Sequence, residues 1–224
     1  MNKKIFLILM ITSIFPFVSI NAQKRFPTEH SIGITAGMNM SKVSFQPSVA
    51  QDYKMGETFG FAYRYIEEKY FGIQAELMFT TRGWKDKLED YPDYHFSRSF
   101  SYVELPIMSH IFFGNNRFRG FVNLGPSISY LVGSDKVVTN IDYSVENPFE
   151  TEHHNLEISN RFDYGIIGGA GIELRFGRNF FLIEGRYYFG LGDLFPNEKK
   201  DYFEASASQY ISVKATYLFK IGGK

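Results

Sequence analysis

The stretch FDYGIIGGAGIELRFGRNFFLIEGRYYF, residues 162–189, decides the fold. Phe162, Tyr164, Ile166, Ala170, Ile172 and Leu174 share one parity, opposite Asp163, Gly165, Gly169, Gly171, Glu173 and Arg175. After Gly177-Arg178-Asn179 the alternation resumes, with Phe181, Ile183, Tyr187 and Phe189 against Glu184, Arg186 and Tyr188. Successive side chains of a strand point to opposite faces, whereas a helix would repeat its apolar residues at i+3 and i+4. Two such runs around a three-residue turn containing Gly and Asn read as an antiparallel hairpin.

The same period continues in both directions along the chain. Eight runs are predicted, at Ser31–Met40, Thr58–Ile66, Phe71–Arg82, Phe100–Phe113, Gly120–Val132, Phe162–Phe176, Phe180–Phe189 and Tyr210–Phe219. Short turns join the second run to the third (Glu67-Glu68-Lys69), the fourth to the fifth (Gly114-Asn115-Asn116) and the sixth to the seventh. The other connections are long, over residues 41–57, 83–99, 133–161 and 190–209. Loop lengths sorted by parity are the mark of an up-and-down barrel in a membrane, with short turns on one side and long loops on the other. A soluble sandwich has no reason to sort them. The fold class is therefore all-β, an eight-stranded antiparallel up-and-down transmembrane β-barrel.

Charge decides which face meets lipid. The minority faces of the runs carry Arg64, Arg82, Arg175, Arg186 and Lys214 together with Glu76, Glu104, Asp163, Glu173 and Glu184. An Arg or Lys on the lipid side at mid-bilayer costs roughly 2–4 kcal/mol, so a balanced set belongs in a lumen. These ten residues are expected to form a structural charge network inside the barrel. Eight strands enclose room for little more than side chains, and Tyr102, Met108 and Tyr188 on the same face should occlude it further. A soluble barrel with the charges facing water is the alternative. Phe59, Tyr65, Phe71, Phe79, Tyr130, Tyr187, Phe189 and Tyr217 are girdle candidates on the other face. Trp84, the single tryptophan, is read either as an interface anchor or as the cap of a loop.

Composition agrees with this reading. The chain has 24 Phe, 15 Tyr and 20 Gly, a bias suited to strands, membrane interfaces and crowded barrel interiors. It has no cysteine, which excludes disulfides, thiol chemistry and Cys-based zinc sites. Lys3 and Lys4 precede an apolar segment to Ile20, followed by Asn21-Ala22. This reads as a cleaved signal peptide over residues 1–22, leaving residues 23–224 as the barrel domain. The 24 basic and 24 acidic residues balance over the full chain, and losing Lys3 and Lys4 leaves a slight acidic excess. That balance gives no electrostatic case for nucleic acid.

The strand motifs resemble those of the PorT-like outer-membrane β-barrel family. The resemblance rests on Phe71-Gly72-Ile73-Gln74-Ala75-Glu76-Leu77 with Arg82-Gly83-Trp84, on Tyr102-Val103-Glu104-Leu105-Pro106, and on Gly125-Pro126-Ser127. It continues through Phe162-Asp163-Tyr164-Gly165, Gly168-Gly169-Ala170-Gly171 and Glu184-Gly185-Arg186-Tyr187. It implies the barrel and the outer membrane of a Gram-negative cell, and the even strand number with short turns on the periplasmic side places both termini in the periplasm. The expected partners are outer-membrane lipid and other outer-membrane or secretion-system proteins. Phe219 followed by Lys220 to Lys224 departs from barrels that stop at an aromatic.

No cofactor, metal site or catalytic residue is expected. Glu104 and His110 share a face but lie six residues, roughly 20 Å, apart along a strand, too far for a dyad. Neither a Gly-x-Ser-x-Gly elbow nor a His-Glu-x-x-His motif is present. The connection 133–161 is acidic, with Asp135, Asp142, Glu146, Glu150, Glu152 and Glu157 against Lys136, and contains His153-His154. A solvated loop is the plain reading; binding of a divalent cation or a basic partner is the other. The functional expectation is a barrel with an occluded polar lumen that works through external loops or partner proteins. A lipid-modifying enzyme and a narrow porin for small solutes are the alternatives.

Overall fold

The computed structural model describes residues 28–87, 95–139, 156, 158, 160–195 and 203–223. The signal-peptide reading and most of the acidic connection lie outside the described residues. Among the described residues there are eight long strands: β1 (Glu29–Gln46), β2 (Lys54–Ile66), β3 (Phe71–Asp86), β4 (His95–Gly114), β5 (Phe118–Thr139), β6 (Phe162–Phe176), β7 (Asn179–Asp193) and β8 (Ala205–Gly222). Each pairs antiparallel with its neighbour in sequence, and β1 pairs with β8, setting Ile34 opposite Tyr217 and Val43 opposite Ser208. The ring is closed. Closure leaves no open strand edge, so each strand pairs on both sides across the bilayer, and the β3–β4 ladder breaks only beside Pro106, where Glu76 and Leu77 have no register partner on β4. A two-residue strand, Gln51–Asp52, adds to β3 outside the ring, opposite Asp86 and Lys85.

The short turns are built by local chemistry. Gly177 takes a φ of +63°, a left-handed conformation that disfavours a side chain. Asn115 holds the β4–β5 turn by accepting hydrogen bonds from the backbone N–H groups of Arg117 and Phe118 at 2.8 and 2.9 Å.

The strands run longer than the alternation predicts. β4 has 20 residues and β5 has 22, where about 9–11 tilted residues cross a bilayer. The extra length lies at the long-loop end, so parts of the segments 41–57, 83–99, 133–161 and 190–209 read as loops are strand. The cause is an inversion of the sheet's polarity. Across the membrane band, Ile34 (59% exposed), Phe61 (68%), Ile183 (58%) and Val213 (63%) point outward while charged groups point in. Beyond the band, Val43, Phe45, Phe96 and Phe100 are buried inside, and Lys42 and Ser44 face out. The period of two persists, but its apolar face changes sides where water replaces lipid.

Candidate functional site

The interior has three storeys. At the short-turn end, Ile66, Phe112, Phe121, Phe180, Leu182 and Leu218 form an apolar floor. Arg175 stacks on the Phe180 ring at 4.2 Å, and Arg64 lies over the same ring at 5.4 Å. Arg64 also pairs with Glu173, and Arg175 pairs with Glu29. Arg175 reaches Glu173 as well, at 3.2 Å.

Above the floor lies the polar storey. The Arg186 guanidinium donates to Glu76 at 2.8 and 2.6 Å and to Glu184 twice at 2.8 Å. Glu76 also accepts from Lys214 Nζ at 2.5 Å and from Gln74 at 2.8 Å. The Asn123 amide donates to Glu184 at 2.9 Å and accepts from His110 Nδ1 at 2.8 Å. Gly169 makes room for this set, since a Cβ there would come within 2.6 Å of Arg186 Cγ and 2.7 Å of Glu184 Oε1.

Nearer the long loops, Arg82 pairs with Asp163 at 2.8 Å and stacks on Tyr102 at 3.9 Å. Tyr188 donates to Asp163 at 3.0 Å. Glu104 accepts from Tyr210 and Ser127, each at 2.8 Å, with no cation in ion-pair range among the described residues.

The third storey is an aromatic lid. Phe45 stacks on Phe203 at 4.4 Å and meets Trp84 edge-on at 5.2 Å, with Phe96, Phe100 and Phe195 around them. Arg98 lies 5.5 Å from the Phe100 ring and donates to the Leu156 carbonyl at 2.7 Å. Burial lowers the Arg98 guanidinium below its ordinary pKa. Lys54, also above the membrane band, is lowered by burial and then by the nearby Lys85.

All ten residues of the expected network sit on inward positions. Nine are buried, and the Arg175 side chain is 10% exposed at the short-turn mouth. Among the described residues they do not form five separate pairs: Glu76, Glu173 and Arg186 each hold two partners, whereas Glu104 holds only hydroxyls. Sequence reasoning missed Glu29, which has the inner parity of β1 but precedes the run that was readable. It also missed the apolar floor and lid. Trp84 is neither an interface anchor nor a loop cap. It is fully buried in the lid, its indole N–H donating to Asp86 at 3.0 Å. The girdle candidates Phe59, Phe71, Tyr130, Tyr187 and Phe189 are exposed outward.

As chemistry, the lumen is a set of charges compensated by ion pairs, except Glu104, which two hydroxyls hold. His110 hydrogen-bonds Asn123 and packs 5.2 Å from the Phe121 ring, and its Nε2 has no partner among the described residues. No cluster of three His, Asp or Glu among the described residues is placed to hold a metal. The space between Glu104, Arg186, Tyr210 and Lys214 measures about 10 Å³, room for about one water.

A closed ring with charges inside and rings and branched aliphatics outside defines a membrane β-barrel. The chain belongs to the outer membrane protein beta-barrel domain family, whose model matches residues 21–196. The outer membrane is accordingly its location. Among solved structures, the outer membrane protein OprG from Pseudomonas aeruginosa superposes with a TM-score of 0.51 at 9% identity, covering 89% of this chain and 97% of that one. Neisserial surface protein A gives a TM-score of 0.46 at 10% identity over 86% and 97%. Ail, the attachment invasion locus protein of Yersinia pestis, gives 0.40 at 14% over 85% and 99%. The likeness to OprG shows the fold alone. No curated protein matches the chain.

Proposed function

We propose that this protein is a closed outer-membrane barrel that acts through its external loops or a partner protein, and that it is neither an enzyme nor a pore. One observation carries this reading. The lumen is filled by ion pairs between an apolar floor and an aromatic lid, leaving room for about one water between Glu104 and Lys214. Its rigid polar storey acts as a frame whose ion pairs hold the barrel's shape. The strand motifs favour the PorT-like branch of the family and a role beside secretion components. Residues 1–22 act as the export signal, and the even strand number puts both termini in the periplasm. Planar-bilayer recording of the purified full chain tests the closed lumen: silence is expected, and steady nanosiemens channels would overturn it. Crosslinking in intact outer membranes tests the partner role. A specific co-purifying outer-membrane or secretion protein is expected; recovery of the barrel alone would contradict it.

A further inference from the structure

The three short turns and both ends of the ring meet around an open vestibule of about 470 Å³ beneath the apolar floor. Lys69 comes from the β2–β3 turn, Arg119 from β5, Arg175 from β6 and Lys220 from β8, so nearly every hairpin supplies a cation. Two carboxylates share the wall, Glu29 and Glu68. Glu29 is already committed to Arg175, with Arg64 at 3.7 Å. Arg119 has no carboxylate in ion-pair range among the described residues. Its guanidinium rests on the Phe112 ring at 4.4 Å, within electrostatic range of Arg175 and Arg64 and of the carboxylates of Glu173 and Glu29, which already face those two cations.

The four cations Lys69, Arg119, Arg175 and Lys220 outnumber the two carboxylates Glu29 and Glu68 on this wall, and the surplus positive charge favours an anion at the mouth. A guanidinium stacked on a ring keeps its N–H edge free, and that edge matches a tetrahedral oxyanion. The vestibule is larger than one phosphate needs, and its far wall is apolar at Ile66 and Phe112.

We infer that the short-turn vestibule is a binding site for a phosphate oxyanion, with Arg119 as the principal donor and Lys69 and Lys220 as supporting charges. The phosphate can come from the headgroup of an anionic phospholipid at this mouth or from a soluble phosphate ester. Both sources present the same chemistry.

The test uses the full chain folded in detergent and in nanodiscs, with heat-modifiable gel mobility as the check of folding. In detergent, ³¹P line broadening of pyrophosphate is titrated for wild type, Arg119→Gln, Lys69→Gln and, at the opposite end, Lys54→Gln. In nanodiscs of phosphatidylcholine with a minor share of phosphatidylglycerol, native mass spectrometry counts the anionic lipid retained. The expected result is binding weakened about tenfold by Arg119→Gln and several-fold by Lys69→Gln, with Lys54→Gln unchanged. Loss of the pyrophosphate signal identifies a soluble source, and loss of retained phosphatidylglycerol a lipid source; either supports the site. Because Lys69 lies on a turn, its variant carries the test if Arg119→Gln does not fold. No binding of either probe by wild type, or equal binding by wild type and the mouth variants, would overturn the inference.

Discussion

Replacing Arg186 by Met removes the cation that holds two buried carboxylates at once. Glu76 keeps Lys214 at 2.5 Å and Gln74 at 2.8 Å, so its charge stays compensated. Among the described residues Glu184 keeps a hydrogen bond from the Asn123 amide alone, at 2.9 Å, with Lys214 near but out of ion-pair range. Breaking a buried pair from one side costs roughly 3–5 kcal/mol, because the surviving charge has lost its partner in a low-dielectric site. With only Glu184 stranded, the low end applies, about 3 kcal/mol, or a fall of about 6–12 °C in melting temperature at this chain length. Adding Glu184→Gln removes the orphaned charge, and the double variant should recover to within about 1 kcal/mol of wild type. The assay is urea unfolding in lipid vesicles, followed by gel mobility and Trp84 emission. A single-variant loss below about 0.5 kcal/mol, or a double variant worse than the single, would refute the claim that these charges are desolvated in a shared network.

Three further outcomes follow from the same structure. Leu124→Arg, on the exposed mid-strand face, should cost roughly 2–4 kcal/mol, whereas Ser44→Arg, outward but above the band, should stay within about 0.5 kcal/mol; equal effects would abolish the polarity inversion. Trp84, as the sole tryptophan, should emit blue-shifted light and resist both aqueous acrylamide and brominated lipid, and strong quenching by either would move it out of the lid. Lys54 has a folded pKa below its ordinary 10.5, so it binds fewer protons folded than unfolded, and stability gains as pH rises from the folded pKa toward 10.5. Lys54→Met should therefore exceed wild type in stability at neutral pH, with the gap narrowing as pH approaches 10.5; a gap that widens would reverse the sign.

Strand number, pairing order and the inward set were legible because the bilayer forces one parity to be apolar over each crossing. Residues 162–189 carry that signal almost without interruption, and β6 spans the run it marks while β7 continues past it to Asp193. The extensions were not legible. In His95 to Ser101 the aromatics Phe96 and Phe100 turn inward and the serines outward, so the period survives while the sign that marks a membrane strand is reversed. Trp84 was misread for the same reason, since a ring beside a strand end suggests a girdle until the sheet is known to continue past it. Pair identities were also beyond reach. Arg64 and Glu173 stand 109 residues apart, and Arg175 and Glu29 stand 146 apart. Only ring closure and strand stagger bring them together, and neither is written in local spacing.

The chain's lack of native cysteine allows a nitroxide scan along β5 and the upper part of β4 with no background label. Labels at Val122, Leu124, Ile128 and Tyr130 should collide with dissolved oxygen in the bilayer, and labels at Asn123, Ser127 and Ser129 with neither oxygen nor an aqueous nickel chelate. At Ser97 and Ser99 the nickel chelate should dominate. Nickel access at Asn123, Ser127 and Ser129, or oxygen access in the opposite phase, would mean that the charged face is not enclosed.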